Sequence, residues 1–319
     1  MTIAVALLLG AALVAAVAPW LLRRLTRFVD PVALLVGWAV AVLAVAVTAG
    51  AGLAAMTVPL YAADSPLSRF VGGRLWAAVA TAPQYLLYQL ADTFALVVAA
   101  AAVARLVWSA LRVGLARRRR VAEHLAVLRV LGDVEPGGPG EPPTLWLRSA
   151  RPLAFSLGGR PGAVVATDGL RAQLTPDALA AVLAHERAHL RGRHHMVVAC
   201  ADVLAAAFPF VPLLRAAPGA VRELVELVAD ADAAGASGPD ALRAALLRVT
   251  GAGAPDVALA IGRTAVELRL RVLARRRRPP SLAGRISRCG SLGMVAACTP
   301  LAVTVGLLWT ASRVAGVLG

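Results

Sequence analysis

Residues 174–190 read LTPDALAAVLAHERAHL, and the fold reading starts from this stretch. Thr175 is a good helix N-cap, because its hydroxyl can accept a hydrogen bond from an otherwise unpaired backbone N–H of the first turn. Pro176 fits the first helical position, and Asp177 suits the positive end of the helix dipole. The spacing predicts a helix from there to at least Leu190. On that helix stand His185, Glu186 and His189, spaced H-E-x-x-H. Positions four apart differ by about 40° around a helix, so His185 and His189 share a face and can reach one ion. Glu186 lies about 100° round, near the ion without ligating it. Two neutral imidazoles suit Zn²⁺, which takes a further protein ligand at catalytic sites. With 5 His in 319 residues, chance placement of these three letters has a probability of about 0.002.

A third ligand is sought downstream. Residues 221–232 read VRELVELVADAD. Glu226 and Asp230 are four apart, and Glu223 shares a face with Glu226. An E-x-x-x-D alone is an ordinary acidic stripe. It gains weight because the chain has only 18 acids, and Glu223, Glu226, Asp230 and Asp232 lie within ten residues of one another.

Upstream of the helix, VEPGGPGEPP at 134–143 is a turn region. Short strand-like runs follow at Thr144–Leu147, Leu153–Leu157 and Ala163–Thr167, the last two separated by Gly158, Gly159 and Pro161 as in a hairpin. Strands and helices together make 113–290 an α+β unit.

The rest of the chain is greasier than a soluble domain allows. Hydrophobic residues make up 59% and charged residues 16%, against roughly 45–50% and 25% in ordinary globular domains. Disorder is excluded on the same ground. Apolar runs at about 3–22, 32–60, 85–112 and 291–317 are long enough to span a bilayer. The first has no basic residue before it and so does not read as a signal peptide. The expected architecture is mainly α: a polytopic helical membrane protein with three spans in 1–112, a cytoplasmic α+β domain at 113–290, and a final span in 291–319.

The net charge is +15, and all 33 basic residues are Arg. A lysine-free chain reflects compositional bias, so the placement of charge is more informative than its total. Loop 23–31 holds Arg23, Arg24 and Arg27; loop 61–83 holds Arg69 and Arg74; Arg117–Arg120 and Arg275–Arg278 flank the large domain. Positive residues accumulate on the cytoplasmic side. Both termini are therefore expected outside and 113–290 inside. The Arg runs read as topology signals that touch anionic lipid, and the pattern gives no case for direct nucleic-acid binding. The odd number and spacing of Cys200, Cys289 and Cys298 give no disulfide framework, and they read as small buried hydrophobes.

Residues 196–214 (MVVACADVLAAAFPFVPLL) pose a constraint. They are just long enough to span, yet a single crossing would put His189 and Glu226 on opposite sides of the membrane. If both hold one metal, the run must be a buried core helix, a re-entrant hairpin or a surface element. Pro209 and Pro212 offer a bend, and Asp202 argues against simple lipid exposure.

Together, His185-Glu186-x-x-His189, a hydrophobic segment and Glu226-x-x-x-Asp230 resemble the gluzincin membrane peptidases, and the three-span, domain, span order resembles the BlaR/MecR-type group over almost the full length. The resemblance implies one Zn²⁺ held by His185, His189 and Glu226, with Glu186 as general base and Asp230 orienting a ligand histidine. It implies peptide hydrolysis in the bacterial plasma membrane, acting on a small winged-helix transcriptional repressor or on the chain itself. A homodimer is a candidate arrangement. The chain ends at Gly319, without the penicillin-binding sensor domain of the antibiotic sensors, so direct beta-lactam sensing is not expected. His194-His195 stand where that group often has an acid; they read as interfacial residues, with extra ligation as the alternative.

Three other readings are weighed. A membrane quality-control protease resembling HtpX shares the H-E-x-x-H and the later Glu and Asp. A non-enzymatic transducer would carry a structural zinc site with a closed ligand shell. A transporter rests on Asp92 within a span, which more often packs against a neighbouring helix.

Overall fold

The computed structural model describes residues 2–26, 28–63, 83–159, 162–251, 267–274 and 282–318. Arg160, Pro161, loop residues 64–82 and Arg275–Arg278 lie outside the described residues.

Three long helices come first: α1 (Thr2–Leu25), α2 (Pro31–Ala63) and α3 (Pro83–Leu131). A small sheet follows, built from β1 (Gly132–Glu135), β2 (Thr144–Leu147), β3 (Ala154–Leu157) and β4 (Ala163–Thr167). Then come α4 (Asp168–Gln173), α5 (Pro176–Arg191), α6 (His194–Ala207), α7 (Pro212–Ser237), α8 (Pro239–Gly251) and, last, α9 (Leu282–Leu318). A helical stretch at 267–274 precedes α9.

Among the described residues four helices are long and apolar enough to cross a membrane: Ile3–Leu25, Pro31–Met56, Gln89–Glu123 and Ile286–Arg313. They coincide with the four runs expected from sequence. The third does not stop at 112. It continues to Leu131 as one helix that includes Arg117–Arg120, because arginine is a good helix former and its charge ends a membrane span without ending the helix. The division at 112/113 therefore falls inside α3.

The sheet order is β1-β2-β4-β3. β2 and β4 run parallel, with Leu145 opposite Val165; β1–β2 and β4–β3 are antiparallel, with Phe155 also opposite Val165. Central β4 is buried along its whole length. Leaving β4, Thr167 turns the chain into α4. Its hydroxyl donates to the Arg151 carbonyl at 2.8 Å and accepts from the Leu153 N–H at 3.0 Å. Gly169 is required in that turn, since a Cβ there would sit 2.1 Å from the Ala150 carbonyl oxygen.

Two cores result. One packs α5 on the sheet through Trp146, Ala166, Leu170, Leu174, Ala178 and Ala245. The larger joins the membrane helices to the domain: Leu22, Leu34, Trp38 and Ala41 of α1 and α2 share it with Leu213, Ala217, Val221 and Leu224 of α7. The domain is thus built onto the spans through shared side-chain packing.

Candidate metal centre

α5 starts as its sequence dictates. Thr175 accepts from the Ala178 N–H at 3.4 Å and Pro176 opens the first turn. Two turns on, the helix aims His185 and His189 at α7, which presents Glu226 and Asp230 on one face. His185 Nε2 lies 3.1 Å from His189 Nε2 and 3.4 Å from Glu226 Oε2, while His189 Nε2 lies 3.4 Å from Glu226 Oε1. These three side chains can each offer a ligand atom to one ion.

The donor triangle fits a tetrahedral zinc. Zn–N and Zn–O distances of about 2.0–2.2 Å imply donor–donor edges of about 3.3–3.6 Å. The two Nε2 atoms are 3.1 Å apart, and each lies 3.4 Å from a different oxygen of Glu226. With one ligand atom taken from each residue, the three lie within 4.8 Å of one another, a set that can close on a divalent cation.

The partners behind the triangle fix the rings. His185 Nδ1 faces Asp230 Oδ1 at 3.0 Å, off the line of an ideal hydrogen bond. Asp230 is only 2% exposed. Its charge is held by Arg269, which donates through Nε and Nη2 at 2.6 Å each. Arg269 Nη1 also lies 3.5 Å from Glu226 Oε2. On the other ring, His189 Nδ1 meets His194 Nδ1 at 2.9 Å, with the rings edge to face. A proton on His189 Nδ1 donated to His194 leaves the Nε2 lone pair facing the triangle, the tautomer metal ligation needs.

A local device brings His194 there. Gly192 and Arg193 make the turn between α5 and α6. Arg193 is left-handed at φ 47°, and a Cβ on Gly192 would lie 2.4 Å from His194 Nε2. His194 is 6% exposed. It is therefore packed behind a site residue, contrary to the interfacial role expected of it, because the turn folds α6 back against α5. His195 fits the expectation better: it lines the cleft beneath Gly158 and its carbonyl accepts from Arg117 at 2.8 Å. Arg269 carried no sequence signal; it lies 39 residues past Asp230 in a segment of alternating Leu and Arg.

The electrostatics follow. Burial pushes His185 down, but the carboxylates of Asp230 and Glu226 beside its two nitrogens outweigh that and raise its pKa to about 9. Burial and the nearby His185 charge push His189 down to about 4. Burial also lowers His194. Asp230 stays below the usual carboxylate range despite burial, because Arg269 donates to it. Glu226 is likewise low against the pull of burial, through its hydrogen bond to His185. Glu186 goes the other way: burial raises it, against the His185 charge and a hydrogen bond from Ser156. A carboxylate raised in this way is a better proton acceptor near neutral pH.

The site opens into a cleft of about 1380 Å³, lined on one side by Phe155 and Ser156 of β3 and on another by Arg23 and Thr26 at the end of α1. Among the described residues no strand pairs the outer edge of β3, the kind of edge to which an extended segment can add.

Residues 118–244 match the family model Peptidase family M48. The matched region runs from the Arg cluster of α3 into α8 and contains His185, Glu186, His189, Glu226 and Asp230. No curated protein and no solved structure matches the chain. The chain thus carries a region similar to a metallopeptidase family, joined to four apolar helices of membrane-spanning length.

Proposed function

We propose that the protein is an integral-membrane zinc-dependent endopeptidase. The observation that carries this reading is the convergence of His185, His189 and Glu226, whose ligand atoms lie within 4.8 Å of one another, with Glu186 in the same cleft.

When bound, the zinc would supply Lewis acidity toward a scissile carbonyl and the attacking water. His185, His189 and Glu226 would hold it; Asp230 and His194 fix the two rings from behind. An extended substrate segment would pair with the outer edge of β3, which lays it across the cleft beside Ser156. Glu186 would take a proton from the attacking water as the hydroxyl adds to the carbonyl carbon. It would return that proton to the amide nitrogen as the C–N bond breaks. Burial around Glu186 keeps its carboxylate basic enough for both transfers.

The cleft lies against the ends of α1 and α3, where Arg23 and Arg117 line it. The substrate in this reading is a polypeptide segment close to the membrane surface. The Arg flanks support a site on the cytoplasmic face, in this reading that of a bacterial plasma membrane. A repressor cut as in BlaR/MecR-type signalling is one such substrate. A damaged membrane protein cut as by HtpX is equally compatible with the family match.

The test combines three variants of the full chain. His185→Ala and Glu226→Ala should each abolish the single equivalent of zinc. Glu186→Gln should keep zinc and lose about 10²–10⁴-fold in hydrolysis of a casein-type substrate. Wild-type rates from Glu186→Gln would refute the mechanism; full zinc retention in Glu226→Ala would refute the ligand set. The same Glu186→Gln chain, used as a trap, separates the substrates: a winged-helix repressor supports signalling, misassembled membrane proteins support quality control.

A further inference from the structure

The α6–α7 hairpin joins the two helices that carry the metal donors. Its contacts with α3 descend along that span. Arg117 of α3 donates to the His195 carbonyl at 2.8 Å and to Asp202 at 2.9 Å. Arg105, twelve residues earlier on α3, donates through Nε to the carbonyl of Ala207, the last residue of α6. Twelve residues of helix are about 18 Å. The hairpin therefore runs antiparallel to α3, away from the basic rim and down the apolar part of the span. An element lying on the membrane surface would meet α3 at one level only.

α7 returns toward the rim packed on α1 and α2, with which it shares a core. Arg23, at the basic end of α1, donates to the Ala216 carbonyl of α7 at 3.4 Å, and Phe210 precedes Ala216 by six residues. Arg105 is seven residues below Arg112, the next arginine of α3 toward the rim, about 10 Å.

The hairpin tip is chemically suited to that depth. It reads Phe208-Pro209-Phe210-Val211-Pro212. Pro209 and Pro212 have no N–H to leave unpaired. The Phe208 N–H bonds Leu204 and the Val211 N–H bonds Phe208. Phe210 is 73% exposed, and its ring meets that of Phe208 edge to face at 6.2 Å. The carbonyls that end α6 need a donor where water is absent, and Arg105 supplies one. That gives a reason for an arginine inside a span, where a charge is otherwise costly.

We propose that residues 196–213 form a re-entrant hairpin whose Phe-Pro-Phe tip lies in lipid, about 10 Å or more below the basic rim, with Arg105 capping α6 within the membrane. The occupant of the exposed tip is acyl chain. The helix bearing His189 and the helix bearing Glu226 are thus joined through the bilayer, not through water. This inference does not depend on the peptidase reading.

The test is depth-dependent spin labelling of the full chain in phosphatidylcholine liposomes. In a Cys200→Ala, Cys289→Ala, Cys298→Ala background, nitroxides go at Phe210→Cys and Ala206→Cys. Val97→Cys on α3 serves as the lipid reference and Ala172→Cys on α4 as the aqueous reference; both positions are exposed. Each label's collision rate with oxygen, which concentrates in lipid, is divided by its rate with a water-soluble nickel chelate. The hairpin labels should give ratios about tenfold above Ala172 and within about twofold of Val97, as burial in the hydrocarbon layer requires. Ratios like that of Ala172 would overturn the proposal. If the Phe210→Cys chain does not accumulate, Ala206→Cys decides alone by the same criterion.

Discussion

Replacing Asp230 by Asn pits two effects of one carboxylate against each other. In the metal-free protein Asp230 helps hold His185 protonated with a pKa of about 9. Zinc must displace that proton, so at pH 7 wild-type affinity is about 100-fold below its limit and rises about tenfold per pH unit up to pH 9. Asn keeps the shape and removes the charge. Burial and the Arg269 charge then pull the His185 pKa down against Glu226 alone, and less proton remains to displace at pH 7. The same change frees the ring of a charged partner, which costs about 10–100-fold in metal affinity. Near pH 7 the two effects are opposed and similar, so wild type and variant should bind zinc within about tenfold of each other. At pH 9.5 only the second survives, and the variant should be about 10–100-fold weaker. Chelator competition from pH 6.5 to 9.5 on the full chain in detergent reads both. A wild-type affinity flat between pH 7 and 9, or a variant with the wild-type slope, would refute the reasoning.

The metal-free wild type should also lose thermal stability as pH rises from 6.5 through about 9. Its raised His185 pKa stabilises the folded state fully below the unfolded value and ceases to do so above the folded one. Asp230→Asn should flatten that trend in a melting series. Arg193→Gly should raise stability by about 1 kcal/mol, since glycine adopts the left-handed conformation without the Cβ penalty; a drop in melting temperature would count against strain at that turn. Gly192→Ala should cost about 1–3 kcal/mol by overpacking and weaken zinc binding by moving His194 off His189. An unchanged zinc affinity would show that His194 does not orient the ligand.

The elements that sequence disclosed are those with a local physical signature. Thr175-Pro176-Asp177 announces α5 because capping chemistry acts within one turn. The four spans show because lipid demands long apolar runs. The pairings of His185 with His189 and of Glu226 with Asp230 follow from a helix, which places residues four apart on one face. Residues 196–214 were legible as a problem: length suggested a crossing, and shared ligation forbade one. The structure divides the run into α6, a proline turn and the start of α7.

Other features were silent for equally physical reasons. β1 (GDVE) is a mostly exposed edge strand, paired through its backbone, with no apolar alternation to betray it. The continuation of α3 past residue 112 was hidden because a charge cluster marks the membrane edge, not a helix end. His194 reaches His189 only through a left-handed residue that no periodicity encodes. Arg269 meets Asp230 through tertiary packing from a distant segment, and no alternating Leu-Arg pattern says which arginine turns inward.

The outer edge of β3 has a consequence for kinetics. A strand can be added there only by a chain whose own N–H and C=O groups are free, over about four residues. A helix or a paired strand offers none, and a proline at a pairing position removes a needed donor. Cleavage of a folded partner would then wait on a local opening of that partner. With opening fast and reversible, the observed rate scales with the open population, so each 1.4 kcal/mol of local stability in the substrate slows cutting about tenfold. Selectivity then resides less in the residues flanking the cut than in how readily the segment around it melts.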